Sequence, residues 1–269
     1  MPRLFVPYVR ESETALMLFK IPRQIERRKA TPDMDLYDCV VGAYPDHIQV
    51  LKRAEASVES YTVNYADIEG FRLFRHFLLG VLTLYLKEGQ VDITFNSVSV
   101  DIIFRFMEIL RSRRPAGLPL HPFELSSPEP PADLDILFFN LMRDQGETFS
   151  YHGYQAALPL RLKSGSWTQK LEHSFRPRRL PATLHLRTGR ELLIIQREPP
   201  EKENQESEYK YHYTYLPLAD IHSICLEDEP QYQDLINCRI SLAHHTFSLT
   251  FSRQNTGLCH FYQALAKQL

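Results

Sequence analysis

Apolar and polar side chains alternate in short runs over much of the chain, and the runs come in pairs. "YDCVVGAYPDHIQVLKRA" (37–54) predicts two strands about a Tyr-Pro-Asp turn, and "GVLTLYLKEGQVDITFN" (80–96) two more about Lys-Glu-Gly-Gln. In "SVSVDIIFRFMEILRSR" (97–113) the period lengthens, and Ile102, Ile103, Phe106, Ile109 and Leu110 fall on one helical stripe. The same succession returns later. "TLHLRTGRELLIIQRE" (183–198) and "NCRISLAHHTFSLTFS" (237–252) read as hairpins, and "RQNTGLCHFYQALAKQL" (253–269) as a helix with Leu258, Phe261, Tyr262, Leu265 and Leu269 on one stripe. Helices are thus predicted over 98–112 and 254–268. In "YKYHYTYLPL" (209–218) Tyr209, Tyr211, Tyr213 and Tyr215 share one strand face opposite Lys210, His212 and Thr214. That face is either half buried or an aromatic ligand surface.

A short repeat ties the two successions together: "YADIEGFRL" (65–73) and "LADIHSICL" (218–226) hold Ala-Asp-Ile at the same point of each. Two copies of one unit are expected, near 36–112 and 182–269, each a run of antiparallel strands closed by a helix that covers its open apolar end. Superposable units with equivalently placed helices follow, and no single sheet should run through both. Asp67 and Asp220, at strand starts, are expected to bond the backbone in Asx-type turns.

"YHYTYLPLADIHSI" followed by a hairpin and a closing helix resembles the bacterial pleckstrin-homology-like family. Its step from a strand pair into the next strand is matched by Leu216-Pro217-Leu218-Ala219-Asp220-Ile221, and without the proline by Val63-Asn64-Tyr65-Ala66-Asp67-Ile68. The resemblance implies a mainly β fold with α, a β-barrel or bent antiparallel sheet plus a C-terminal helix, as two such domains in tandem. Seven strands are implied per domain, so first strands are sought at Ala15 to Phe19 and Leu158 to Lys163. The division is then 1–112, a connector 113–150, and 151–269.

The connector has its own character. "RPAGLPLHPFELSSPEPPAD" (114–133) holds six prolines, which suits an extended link. "DLDILFFNLMRDQG" (133–146) predicts a short helix capped by Asp133 and ended by Gly146, apolar round most of its circumference. It is either wedged between the domains or a docking face. The acidic "PPEKENQESE" (199–208) is expected at a hairpin tip.

Composition narrows the function. A net charge of −2 excludes the strong positive field of a general nucleic-acid binder. Cys39, Cys225, Cys238 and Cys259 have no metal-ligand spacing and read as buried free thiols of a reducing compartment. "MPRLFVPYVR" lacks a signal peptide's apolar run, and "FLLGVLTLYL" (77–86) is about half a membrane span, so a cytoplasmic protein is expected. "KSGSWTQ" (163–169) fails the nucleophile-elbow pattern, and no Gly-rich phosphate loop or zinc motif occurs. His244 and His245 point to opposite sides of an extended chain. A non-enzyme without metal or cofactor is expected.

One stretch departs from the charge balance: from Leu160 to Arg190 there are eight Lys or Arg and one acid. Arg176, Arg178, Arg179, Arg187 and Arg190 are its candidate binding residues, and Arg23, Arg27, Arg28 and Lys29 form a second cluster before the first copy. In pleckstrin-homology domains such residues lie in the loop between the first two strands and bind phosphoinositides. The expected role is a protein-interaction scaffold with an unknown, anionic partner. Peripheral binding of anionic lipid headgroups is the alternative.

Overall fold

A computed structural model of the chain describes residues 1–9, 14–23, 25, 31, 34–55, 57–114, 128–132, 134–144, 149–164, 178–198 and 210–269. Alternation decides the strands. In His47–Ala54 (β3), Ile48 and Val50 are buried while His47 and Gln49 are not. β3 lies with Met17–Pro22 (β1), Tyr37–Ala43 (β2) and Ser57–Asn64 (β4) in an antiparallel sheet ordered β1-β2-β3-β4. A 3-10 turn, Tyr65–Asp67, leads into Ile68–His76 (β5), Leu79–Leu86 (β6), Gln90–Asn96 (β7) and the helix Val100–Arg113 (α1). Ile103, Phe106, Met107 and Leu110 of α1 are buried, whereas Ile102, placed on the same stripe by its spacing, is exposed.

Ile136–Asp144 (α2) precedes the second succession: Ser150–Gln155 (β8), Leu158–Pro159 (β9), Arg179–Leu180 (β10), Ala182–Arg187 (β11), Glu191–Glu198 (β12) and Lys210–Pro217 (β13). Another 3-10 turn, Leu218–Asp220, leads to Ser223–Asp228 (β14), Leu235–Ser241 (β15), Thr246–Ser252 (β16) and the helix Thr256–Ala266 (α3). Asn255 caps α3 by accepting from the Leu258 amide at 3.2 Å, and Leu258, Phe261, Tyr262 and Leu265 are buried. Leu269, assigned to that stripe, is exposed.

The molecule is mainly β, with several antiparallel sheets, and among the described residues none closes into a barrel. Strands, an Ala-Asp 3-10 turn, three strands and a helix recur in that order. The expectation that no sheet would run through both halves is overturned. β5 pairs with β13, giving a seven-stranded sheet ordered β7-β6-β5-β13-β12-β11-β8. Gly70 makes this approach possible, because a Cβ there would stand 3.0 Å from the Tyr215 carbonyl oxygen. Phe71 stacks on Tyr215 across the seam at 4.8 Å. One large core accordingly holds Val41, Ile93 and Phe106 together with Leu184, Ile195 and Tyr213, and a second lies between β14–β16 and α3.

Two further expectations are corrected. The strand beside β11 is β8; Leu158 to Lys163 supplies only β9 and a bridge from Leu162 to Tyr232. Gly153 in β8 fits it to that place, since a Cβ would come 2.3 Å from Cδ2 of Leu258 on α3. Among the described residues, the carboxylates of Asp67 and Asp220 do not bond the backbone. Asp67 accepts from Lys87 Nζ at 3.0 Å and Asn64 Nδ2 at 3.1 Å, and Asp220 pairs with Arg114 at the end of α1.

Candidate functional site

The seam between β5 and β13 organises a cleft. Phe71, Leu73 and Arg75 share one face of β5, and their register partners Tyr215, Tyr213 and Tyr211 lie opposite. Arg197 of β12 is in turn paired with Tyr211. α1 covers one end of this surface: Phe104 meets Tyr213 edge-on at 6.2 Å, and Arg111 lies 5.6 Å over Tyr215 and donates from Nε to Glu191 at 2.8 Å. α2 covers the other end. Its Phe138 is fully buried, 5.1 Å beneath the Arg197 guanidinium and edge-on to Tyr154 at 5.5 Å. Asp135 accepts from the Leu137 amide at 2.9 Å and pairs with Arg197. The cap is therefore Asp135; Asp133 and Gly146 lie outside the described residues. Burial alone would raise the Asp135 pKa, but the hydrogen bonds from Arg197 and the Leu137 amide and the Arg197 charge lower it below its ordinary value.

Between the covered ends remains a cavity of about 340 Å³ lined by Arg75, Phe77, Leu137, Asn140, Leu141, Tyr211 and Tyr213. Leu137, Asn140 and Leu141 are one face of α2, while Phe138 and Met142 turn to the core. The tyrosine face of β13 is thus mostly buried, with Tyr211 reaching the cleft. Phe138 of the helix is buried in the core, and Ile136, Leu137 and Phe139 are exposed.

At the cleft's mouth the two residues Phe77 and Leu78 turn β5 into β6. Phe77 adopts φ +51° while 55% exposed, and Leu78 is 61% exposed. A bulky side chain in this region costs about 1–3 kcal/mol relative to an allowed conformation. The turn after β6 uses Gly89 at φ +76°, and Glu55 and Asp234 also take positive φ. Leu79 next to Leu78, and Ile136 and Phe139 on α2, are exposed as well. The Nε of Arg75 is buried and has no hydrogen-bond partner among the described residues. The lining offers a guanidinium, a carboxamide, two phenols and apolar walls, a set that recognises rather than transforms.

Of the basic candidates, Arg27, Arg28, Lys29 and Arg176 lie outside the described residues. Arg23 pairs with Asp38 at 3.3 Å and donates to the Asp35 carbonyl. Arg178 and Arg179 are exposed at β10, Arg187 is buried at the far end of β11, roughly 16 Å along the strand, and Arg190 is exposed in the following turn. The described members therefore sit on separate elements.

A buried polar group under α3 was not foreseen. His185 contacts Tyr262 Oη through Nδ1 at 2.7 Å and Thr183 Oγ1 through Nε2 at 2.9 Å, and His152 stacks on Phe261 at 4.6 Å. Burial lowers the His185 pKa to about 3; burial, then the charge of Arg187, lowers that of His152 to about 4. Both ring nitrogens of His185 are engaged, so this group holds α3 in place. At the seam His244 Nδ1 lies 2.6 Å from the buried Glu69, and His245 Nε2 donates to the Leu86 carbonyl at 2.7 Å. Both histidines thus act in docking β15–β16 onto β5–β6. Cys39 and Cys238 are buried, and burial pushes the Cys39 thiol up to about 12; Cys225, expected inside, is exposed on β14.

Among the described residues no group of three or more His, Cys, Asp or Glu could hold a metal ion, and no helix is long and apolar enough to cross a membrane. Compared with protein-family models and with curated proteins, the sequence matches none.

Proposed function

We propose that the chain is a tandem pleckstrin-homology-like, non-catalytic protein that acts as a protein-interaction scaffold, with the seam cleft as its contact surface. Support for the tandem comes from the element order that recurs around the two Ala-Asp-Ile turns. The observation that carries the binding role is the run of exposed apolar side chains Phe77, Leu78 and Leu79 at the hairpin tip, with Phe77 lining the cavity together with the exposed Leu137 of α2. The Phe77 backbone conformation adds to it, since it is costly and gains no burial in return.

The test is affinity capture with the full chain against a Leu78→Ser/Phe139→Ser variant of equal melting temperature. A defined set of proteins retained by the wild type and lost by the variant is expected; identical retention overturns the role of this surface. A parallel sedimentation with phosphatidylserine vesicles addresses headgroup binding through the exposed Arg178, Arg179 and Arg190. Binding abolished by replacing these three with Ser would favour the lipid role.

A further inference from the structure

We infer that the seam cleft receives an acidic-apolar peptide segment of a partner protein, with a side-chain carboxylate on Arg75 and neighbouring apolar side chains against Phe77, Leu137 and Leu141. This rests on the protein-binding reading above and names the partner's chemistry.

The other arginines described at the seam have partners: Arg111 pairs with Glu191, Arg114 with Asp220, Arg197 with Asp135, and Arg72 donates to the Thr214 hydroxyl. Among the described residues the Nε of Arg75 has no partner, although it is withdrawn from solvent. A desolvated donor without an acceptor is unfavourable, and a guanidinium meets a carboxylate best through two parallel bonds. The acceptor therefore comes from outside the seam's own set. Charge complementarity sets its sign, and the walls set the rest. A free inorganic anion would leave Phe77, Leu137 and Leu141 unused. A membrane surface is held by several cations together, whereas the lining carries one. A cavity of about 340 Å³ accommodates one or two side chains rather than a folded surface, which points to a peptide segment. Capture of a terminal carboxylate runs through nests of backbone amides, while here the donors are the side chains of Arg75 and Asn140, as an internal Asp or Glu requires. Leu78, next to Phe77 in the two-residue turn, adds exposed apolar surface beside the cavity. Arginine and aromatic residues inside an apolar ring also form the usual centre of such contacts.

The experiment pans a phage-displayed library of random peptides on the full chain and measures the affinity of the enriched peptides by fluorescence polarisation. Enrichment of Asp or Glu flanked by Leu, Ile or Phe is expected. Arg75→Gln should weaken these peptides roughly tenfold or more, the range of a charged hydrogen bond, and Arg75→Glu should select Lys or Arg in place of the acid. Leu78→Ser, at an exposed position that folding does not use, should weaken them too, and it carries the test if Arg75→Gln lowers the melting temperature. Enriched peptides that bind wild type and both variants equally would overturn the assignment to the cleft and leave the protein-binding reading standing. A failure to enrich any peptide would overturn both, and sedimentation with phosphatidylserine vesicles that depends on Arg75 would assign the cleft to a membrane instead.

Discussion

β5 and β14 stand at the same point of the repeated order, each the first strand after an Ala-Asp-Ile turn, and they meet different fates. β5 runs nine residues and is paired on both sides, by β6 and β13. β14 runs six, pairs with β15, and along its other side no strand pairs among the described residues. Aligned on the two aspartates, Gly70 corresponds to Ser223, Phe71 to Ile224 and Arg75 to Asp228. Where β13 approaches, the chain has a glycine and a stacking aromatic. Along the open edge Glu227 pairs with Arg239 and Asp228 with Arg253, charges that discourage another strand from adding there. The repeat specifies the element order; the residues that break it specify which edge is used and where the cleft forms.

The closing helices are where the halves should behave most alike, and they give the largest expected effect. Phe106→Ala and Phe261→Ala should each lose roughly 3–5 kcal/mol in urea titration, as buried aromatics do. A loss under about 1 kcal/mol at one of them would break the equivalence. What the helices cover differs, and acid sharpens that contrast. The folded pKa values of His152 and His185 lie below the ordinary 6.5, so the unfolded chain takes up these protons first. Stability is then full above pH 6.5 and declines as pH falls toward about 4. His152→Phe should flatten that decline, and an unchanged slope would show that the imidazole does not titrate this way.

Smaller effects isolate the two strands. Phe71→Ala should cost about 3 kcal/mol or more, and Ile224→Ala, half buried on β14, about 1 kcal/mol; equal losses would deny the seam its role. Gly70→Ala should destabilise by about 1–3 kcal/mol through crowding of the Tyr215 carbonyl, while Ser223→Ala should change stability by less than about 0.5 kcal/mol. Chemical denaturation of both pairs checks this.

Hairpins and closing helices were legible because each rests on local periodicity: Ile48 and Val50 alternate, and Phe106 and Leu110 recur at helical spacing. The β5–β13 pairing was not, since strand pairing is a matter of backbone groups, and its side-chain signature reduces to Gly70 and the alternating Tyr211, Tyr213 and Tyr215. Ser150–Gln155 was missed because it buries polar residues: Tyr151 in the large core, and His152 and Gln155 near α3. The basic cluster drew attention by number, yet counting does not report burial: Arg187 lies inside, and the arginine at the cleft is Arg75, which stands alone in sequence. The strain at Phe77 was invisible for a related reason, since two-residue turns ordinarily announce themselves by Gly or Asn.

The shared sheet also sets a timetable for synthesis. Arg72 of β5 bonds Thr214 of β13 across 142 residues of sequence. At ribosomal speeds of 5–20 residues per second, β5 waits roughly 7 to 30 seconds for its partner strand. During that interval the edge of β5, with its Phe71, Leu73 and Arg75, waits unpaired on the side that β13 later fills.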